Sequence, residues 1–161
     1  MANKHNYIIG SVSSGTMRPE DLIPDFIDIA RDLGANENKD HKKTLTKIEH
    51  RMEADEYFDM EDASYDLEAL FNMLQEYAPP YFYFGSLPGD GADYGFWLYE
   101  YQNLAQEVKD NGGVVVFDLS ELDTYEDGGM VEVLHVNDHG NCTLYNYNAD
   151  TKELNEIWAI V

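Results

Sequence analysis

Ala78-Pro79-Pro80-Tyr81-Phe82-Tyr83-Phe84-Gly85 divides the chain into two kinds of pattern. Two consecutive prolines cannot continue a helix, because each lacks an N–H and each pushes the preceding residue out of the helical region. Upstream of them the apolar residues recur at helical spacing. Leu67, Leu70, Phe71 and Leu74 predict a helix over 62–77, and Leu45, Ile48 and Met52 predict another over 39–54 with lysines outside. A first helix starts at Arg18-Pro19-Glu20-Asp21, with proline early and acids in the first turn. Leu22, Phe26, Ile29 and Leu33 give it one apolar face, Pro24 is a point where it restarts, and Gly34 ends it. Residues 7–9, Tyr-Ile-Ile, read as a short opening strand.

Downstream the period changes. Residues 81–84 and 96–99 are aromatic strand candidates joined by a loop over 85–95. Tyr101, Leu104, Ala105 and Val108 predict a short helix closing at Gly112-Gly113, followed by a buried strand over 114–117. Residues 131–136, 143–147 and 154–160 are strand-like runs separated by Asn- and Asp-rich turns. Short turns between successive strands make them antiparallel neighbours, hence a meander. Helices first and strands later read as α+β: N-terminal helices packed on a mainly antiparallel sheet with a C-terminal three-stranded meander. At 161 residues, the expectation is a single acidic domain spanning 1–161.

Composition supports folding over disorder: 43% of residues are hydrophobic and 13% aromatic, interleaved with the acids. One cysteine, Cys142, excludes an internal disulfide and suits a reducing compartment. Residues 7–9 are too short for a signal-peptide core, and no apolar run approaches the ~20 residues of a membrane span. The expected location is cytoplasmic.

The charge is unevenly placed. Residues 1–51 hold eight Lys/Arg against eight Asp/Glu, whereas residues 52–161 hold two against twenty-four, which accounts for the net charge of −22. Self-repulsion on that scale opposes the compact state, so a cationic partner or a need for solubility is implied. Duplex DNA carries one charge per ~1.7 Å of axis, so this total corresponds to about 37 Å of duplex. Asp55, Glu56, Asp59, Glu61, Asp62, Asp66 and Glu68 place seven carboxylates in fourteen residues and are the candidate partner-binding surface. The alternative is a solvated face that maintains solubility.

Three stretches carry a resemblance. Gly15-Thr16-Met17-Arg18-Pro19-Glu20-Asp21-Leu22, the run from Ala78 through Pro88-Gly89-Asp90-Gly91-Ala92-Asp93-Tyr94-Gly95-Phe96-Trp97, and Val136-Asn137-Asp138-His139-Gly140-Asn141 with Thr143-Leu144-Tyr145 resemble a family of small phage and mobile-element proteins. The closing Glu156-Ile157-Trp158 is similar to the same family's end, and residues 36–62 carry none of the motif. No activity is assigned to that family. What the resemblance implies is context: genes on phages and mobile elements, where small acidic proteins disarm host defence by imitating nucleic acid.

Other constellations compete. Gly89-Asp90-Gly91-Ala92-Asp93 with Tyr94 is a candidate ligand loop, or the centre of a metal-dependent enzyme at Asp90 and Asp93. The spacing does not match an EF-hand, and a tight hairpin explains Gly and Asp equally well. His135, His139 and Cys142 are zinc-type ligands without a fourth member, so the expectation there is structural. Tyr81, Phe82, Tyr83, Phe84, Tyr94, Phe96, Trp97, Tyr99 and Tyr101 serve either a core or a base-stacking platform. No nucleophile elbow and no phosphate-binding glycine loop before a helix occurs, so no catalytic residue, metal or cofactor is expected. The leading expectation is an anti-defence protein that inhibits a restriction or CRISPR nuclease by acidic DNA mimicry. It would bind the nuclease's basic surface, without direct contact to nucleic acid or membrane, as a monomer or homodimer. The alternative is a small-molecule or nucleotide sponge using the aromatic Gly-Asp segment. Charge mimicry weakens steeply with salt, whereas a stacked ligand does not.

Overall fold

A computed structural model describes residues 7–99 and 101–161. The chain is α+β, and it divides into two compact units, residues 7–98 and residues 99–161. Where the sequence suggests one sheet, there are two, one in each unit.

The first unit contains β1 (Gly10–Ser14), α1 (Pro19–Asp32), α2 (Lys39–Met52), α3 (Glu61–Glu76), β2 (Phe82–Leu87) and β3 (Asp90–Leu98). Helix α1 runs unbroken through Pro24, whose missing N–H falls where the partner would be Glu20, in the first turn. It ends in a Schellman motif: Gly34 N–H donates to Arg31 O and Ala35 N–H to Ala30 O, both at 2.9 Å. Gly34 has φ +95°, a conformation that favours glycine. The Asn38 side chain caps α2, accepting from the N–H groups of Asp40 and His41 at 2.9 and 3.2 Å. The helices bury Leu22, Ile23, Phe26, Leu45, Ile48, Leu70 and Leu74.

The sheet of this unit is antiparallel in the order β1-β3-β2. The first strand lies over Gly10–Ser14 and not over 7–9. Its position follows from close approach: a Cβ at Gly95 would sit 2.1 Å from Gly10 O and 2.9 Å from Ser11 Cα, so small residues must meet there. Residues 85–95 are not a loop either. They are the inner arms of a hairpin turned at Pro88-Gly89, where Leu87 pairs with Asp90 and Gly89 has φ +92°. Proline followed by a positive-φ glycine is the pattern of a type II turn. Strand alternation sends Phe82 and Phe84 inward, where Phe84 packs with Phe26 at 5.1 Å and with Phe96 at 4.9 Å between ring centroids. Phe71 and Tyr94 complete this cluster around Phe26, at 5.2 and 5.8 Å.

The second unit contains α4 (Leu104–Asp110), β4 (Val114–Val116), β5 (Met130–Val136), β6 (Cys142–Asn148) and β7 (Glu153–Ile160), in sheet order β4-β5-β6-β7. Strands β5 to β7 form the antiparallel meander expected from the Asn/Asp turns. The sequence does not announce that β4 pairs with β5 in parallel. Such a pair requires a crossover of about a dozen residues. Residues 117–129 supply it, with a 3-10 segment at Leu119–Thr124. Val116, Leu122, Val133 and Tyr147 form a core between that crossover and one face of the sheet. On the other face α4 contributes Leu104 and Val108, both buried.

Strand β4 also stops a residue earlier than expected. Phe117 leaves the sheet because its N–H donates to the Glu121 carboxylate at 2.8 Å instead of pairing with a strand. Among the described residues no helix is long and apolar enough to cross a membrane.

Candidate functional site

Acidity belongs to both units. Residues 7–98 carry nineteen carboxylates against seven Lys/Arg, and residues 99–161 carry thirteen against two. Of the seven carboxylates singled out in the sequence, Asp55, Glu56, Asp59, Glu61, Asp62 and Glu68 are exposed. Asp66 is a correction: it is 5% exposed and does not belong to the surface. It accepts from Arg51 Nε at 2.8 Å, from a terminal nitrogen of the same guanidinium, and from the Tyr57 hydroxyl at 2.8 Å. Position 66 falls on the α3 face that also buries Ala63, Leu70 and Met73. A carboxylate there has to be paired, and Arg51 at the end of α2 reaches in to do so.

This polar triad ties α2, the 3-10 turn Tyr57–Asp59 and α3 together. Burial and the hydrogen bond to Asp66 push the Tyr57 hydroxyl far above the ordinary tyrosine range. The hydrogen bond to Asp66 holds the Arg51 guanidinium even more firmly in its charged form.

A second acidic row was not singled out in advance. Asp21, Asp25, Asp28 and Asp32 are all exposed on α1, at i, i+4, i+7 and i+11, which is one side of a helix. With a rise of about 1.5 Å per residue they span about 16 Å, or one charge per ~5.5 Å. The signal was legible as the complement of the apolar face at Leu22, Phe26 and Ile29. Hydroxyls hold the start of this row in place: Thr16 Oγ1 donates to Asp21 at 2.7 Å and Ser13 Oγ donates to Asp25 at 2.8 Å. Ser11 Oγ likewise donates to Asp93 across the β1–β3 pair. The lysines Lys39, Lys42, Lys43 and Lys47 are exposed together on α2.

Asp90, Asp93 and Tyr94, read as a ligand loop, lie at the start of β3. Asp90 accepts from the Ala92 N–H at 3.1 Å, Asp93 is committed to Ser11, and the Tyr94 ring packs in the aromatic core. The carboxylates are therefore turn and strand-pairing groups, and the aromatic ring is spent on packing. Phe82, Phe84 and Phe96 are buried as well, while the side chain of Tyr101 lies outside the described residues.

The histidine pair resolves differently. His135 and His139 line one cleft of about 420 Å³ with Phe117, Asp118, Leu119, Asn137 and Asp138. Cys142 is not part of it. That thiol is buried, donates to Gly140 O at 3.7 Å, and lines an apolar hollow of about 200 Å³ with Leu104, Val115, Leu134, Val136 and Phe117, the last of which borders both hollows. Neighbouring β5 positions point to opposite faces, which sends His135 to one hollow and Leu134 and Val136 to the other. Among the described residues, no three His, Cys, Asp or Glu side chains converge to hold a metal ion.

Asp118 shapes the cleft. It caps the 3-10 segment, accepting from Ser120 N–H at 2.8 Å, while Glu121 reaches back to the N–H groups of Asp118 and Phe117 at 2.8 Å. The backbone hydrogen bond from Ser120, with His135 nearby, keeps the Asp118 carboxyl below the usual range and hence charged.

The sequence matches no protein-family model, no curated protein and no solved structure.

Proposed function

We propose that this protein is a non-enzymatic acidic decoy that occupies the basic, nucleic-acid-binding surface of another protein. In the phage and mobile-element setting that its motifs resemble, the target is a host defence effector such as a restriction or CRISPR nuclease. The observation that carries this reading is the exposed row Asp21, Asp25, Asp28 and Asp32 on α1, partly braced by hydroxyls from β1 and the segment after it.

One charge per ~5.5 Å is sparser than a single DNA strand, which carries one per 3.4 Å of axis. The row alone therefore reproduces only part of a phosphate track, and the exposed carboxylates at 55–62 and 68 add to the same field. Such a field steers a cationic surface into contact and repels nucleic acid and anionic lipid alike. The aromatic segment supports the competing sponge reading less well, since Phe82, Phe84, Tyr94 and Phe96 are buried in the core, although Tyr81, Tyr83 and Trp97 are only half-buried and Tyr99 is exposed.

The test is DNA cleavage by a panel of restriction and CRISPR nucleases with the protein added at 50 and 300 mM salt. Inhibition that falls steeply between the two, and that is lost in an Asp21→Asn, Asp25→Asn, Asp28→Asn, Asp32→Asn variant with unchanged circular dichroism, is the expected result. Inhibition by that variant equal to wild type removes α1 from the contact. No inhibition across the panel at low salt removes the reading.

A further inference from the structure

Phe117 is a large apolar side chain left 70% exposed, yet its backbone is not loose. Its N–H is fixed by Glu121, the same residue that closes the capping box with Asp118. The ring lines both this cleft and the apolar hollow of Leu104, Val115, Leu134 and Val136, and from that held backbone position it still leaves most of its surface to solvent. The cleft it borders is polar: the carboxyl groups of Asp118 and Asp138, the Asn137 amide and two imidazoles line an open depression of about 420 Å³. Asn137 Oδ1 accepts from the N–H groups of His139 and Asn141 at 2.9 and 3.0 Å, which fixes the turn carrying Asp138. Two carboxylates beside an aromatic face repel phosphate and select a cation, and a planar cation best of all, because it stacks on the ring while its edge meets a carboxylate.

We infer that this cleft receives the guanidinium group of an arginine side chain on the cationic partner, stacked on Phe117 and paired with Asp138, with Asp118 supplying a second fixed negative charge. The inference rests on the reading of the protein as a ligand of basic surfaces and deepens it. The acidic helix rows give attraction at a distance, and the cleft gives one anchored contact of the kind that dominates interface energetics.

The probe is N-acetyl-arginine amide, titrated at pH 8 into ¹⁵N-labelled full-length protein and followed by ¹H–¹⁵N correlation spectra. N-acetyl-citrulline amide, of the same shape without the charge, is the control. Saturable shifts at Phe117, Asp118, His135, Asp138 and His139 are expected, with citrulline binding at least fivefold more weakly. Phe117→Ala and Asp138→Asn should each weaken arginine binding at least fivefold, with the rest of the spectrum superposing on wild type.

Equal binding of arginine and citrulline overturns the inference, as do shifts confined to α1 or binding unchanged in both variants. Saturable binding of adenosine in the cleft with no preference for arginine also overturns it, in favour of base stacking. The two proposals separate cleanly. Salt-sensitive nuclease inhibition that survives Phe117→Ala and Asp138→Asn, with no arginine binding, leaves the decoy standing without the cleft. Arginine binding in the cleft with no nuclease inhibited leaves the cleft standing without the decoy.

Discussion

Replacing Asp66 by alanine separates a structural carboxylate from the exposed ones around it. Asp66 accepts two hydrogen bonds from Arg51 and one from Tyr57, and its side chain is 7% exposed while that of Arg51 is 40% exposed. Deleting one partner of a buried ion pair costs about 3–5 kcal/mol when the other is left uncompensated. Here water reaches the abandoned guanidinium, which lowers that figure. The Tyr57 hydroxyl gains no such relief, since the residue is 1% exposed, and a stranded buried donor costs about 1–3 kcal/mol. The expected loss is therefore about 3 kcal/mol, or about 2 M in urea midpoint at a slope of about 1.5 kcal/mol per M.

Each compact unit holds one tryptophan, Trp97 in the first and Trp158 in the second. Fluorescence in a Trp158→Phe background thus reports the unit that contains Asp66. Asp62→Ala, an exposed neighbour on the same helix, should stay within about 0.5 kcal/mol of wild type. Asp66→Asn, which keeps the shape and one acceptor, should fall between the two and serves if the alanine variant does not fold. Asp66→Ala as mild as Asp62→Ala would refute the reasoning and return Asp66 to the surface set.

Gly95→Ala should destabilise the first unit by about 3 kcal/mol or more, because the new Cβ would meet the backbone of Gly10 and Ser11, which cannot rotate aside as a side chain can; a melting temperature within two degrees of wild type contradicts this. Phe96→Ala should cost about 3–5 kcal/mol from a 1% exposed site, and Trp97→Ala less, since Trp97 is half-buried and loses chiefly packing and its Nε1–H bond to Gly85 O at 3.0 Å; the reverse order in chemical denaturation would show that the core is drawn wrongly. The raised Tyr57 pKa predicts a stability contribution that is fully present below about pH 10 and lost as pH rises through the folded value, because only the unfolded chain ionises readily. Stability measured between pH 9 and 12 should fall less steeply in Tyr57→Phe than in wild type, and parallel curves would count against it.

The change of period across Pro79-Pro80 carries the α+β class because local chemistry dictates it: prolines stop a helix, and Asn/Asp turns force adjacent strands to run antiparallel. The same local reading fails where a decision belongs to tertiary pairing. Ile8 and Ile9 look more strand-like than Gly10–Ser14, yet pairing with β3 at Gly95 demands small residues, and the serines are then used to hold carboxylates. Residues 85–95 look like a loop because four glycines and two aspartates fall there. Only one turn is needed, at Pro88-Gly89, and Gly95 serves close packing instead.

The parallel β4–β5 pair is set by a crossover whose direction no short-range pattern encodes. The candidate site divides along the same line. A count of carboxylates finds Asp55 to Glu68 but cannot tell Asp66 from its neighbours, since burial depends on which face of α3 meets the core and on Arg51 being within reach. The α1 row needs only helical spacing and was available to reading. The cleft was not, because Phe117 and Asp118 stand some twenty residues from Asp138, and only the crossover and the β5–β6 turn bring them together. What the charge pattern does express directly is the sign of the overall field: carboxylates are in excess in both units, and the exposed lysines Lys39, Lys42, Lys43 and Lys47 on α2 are a local exception to it.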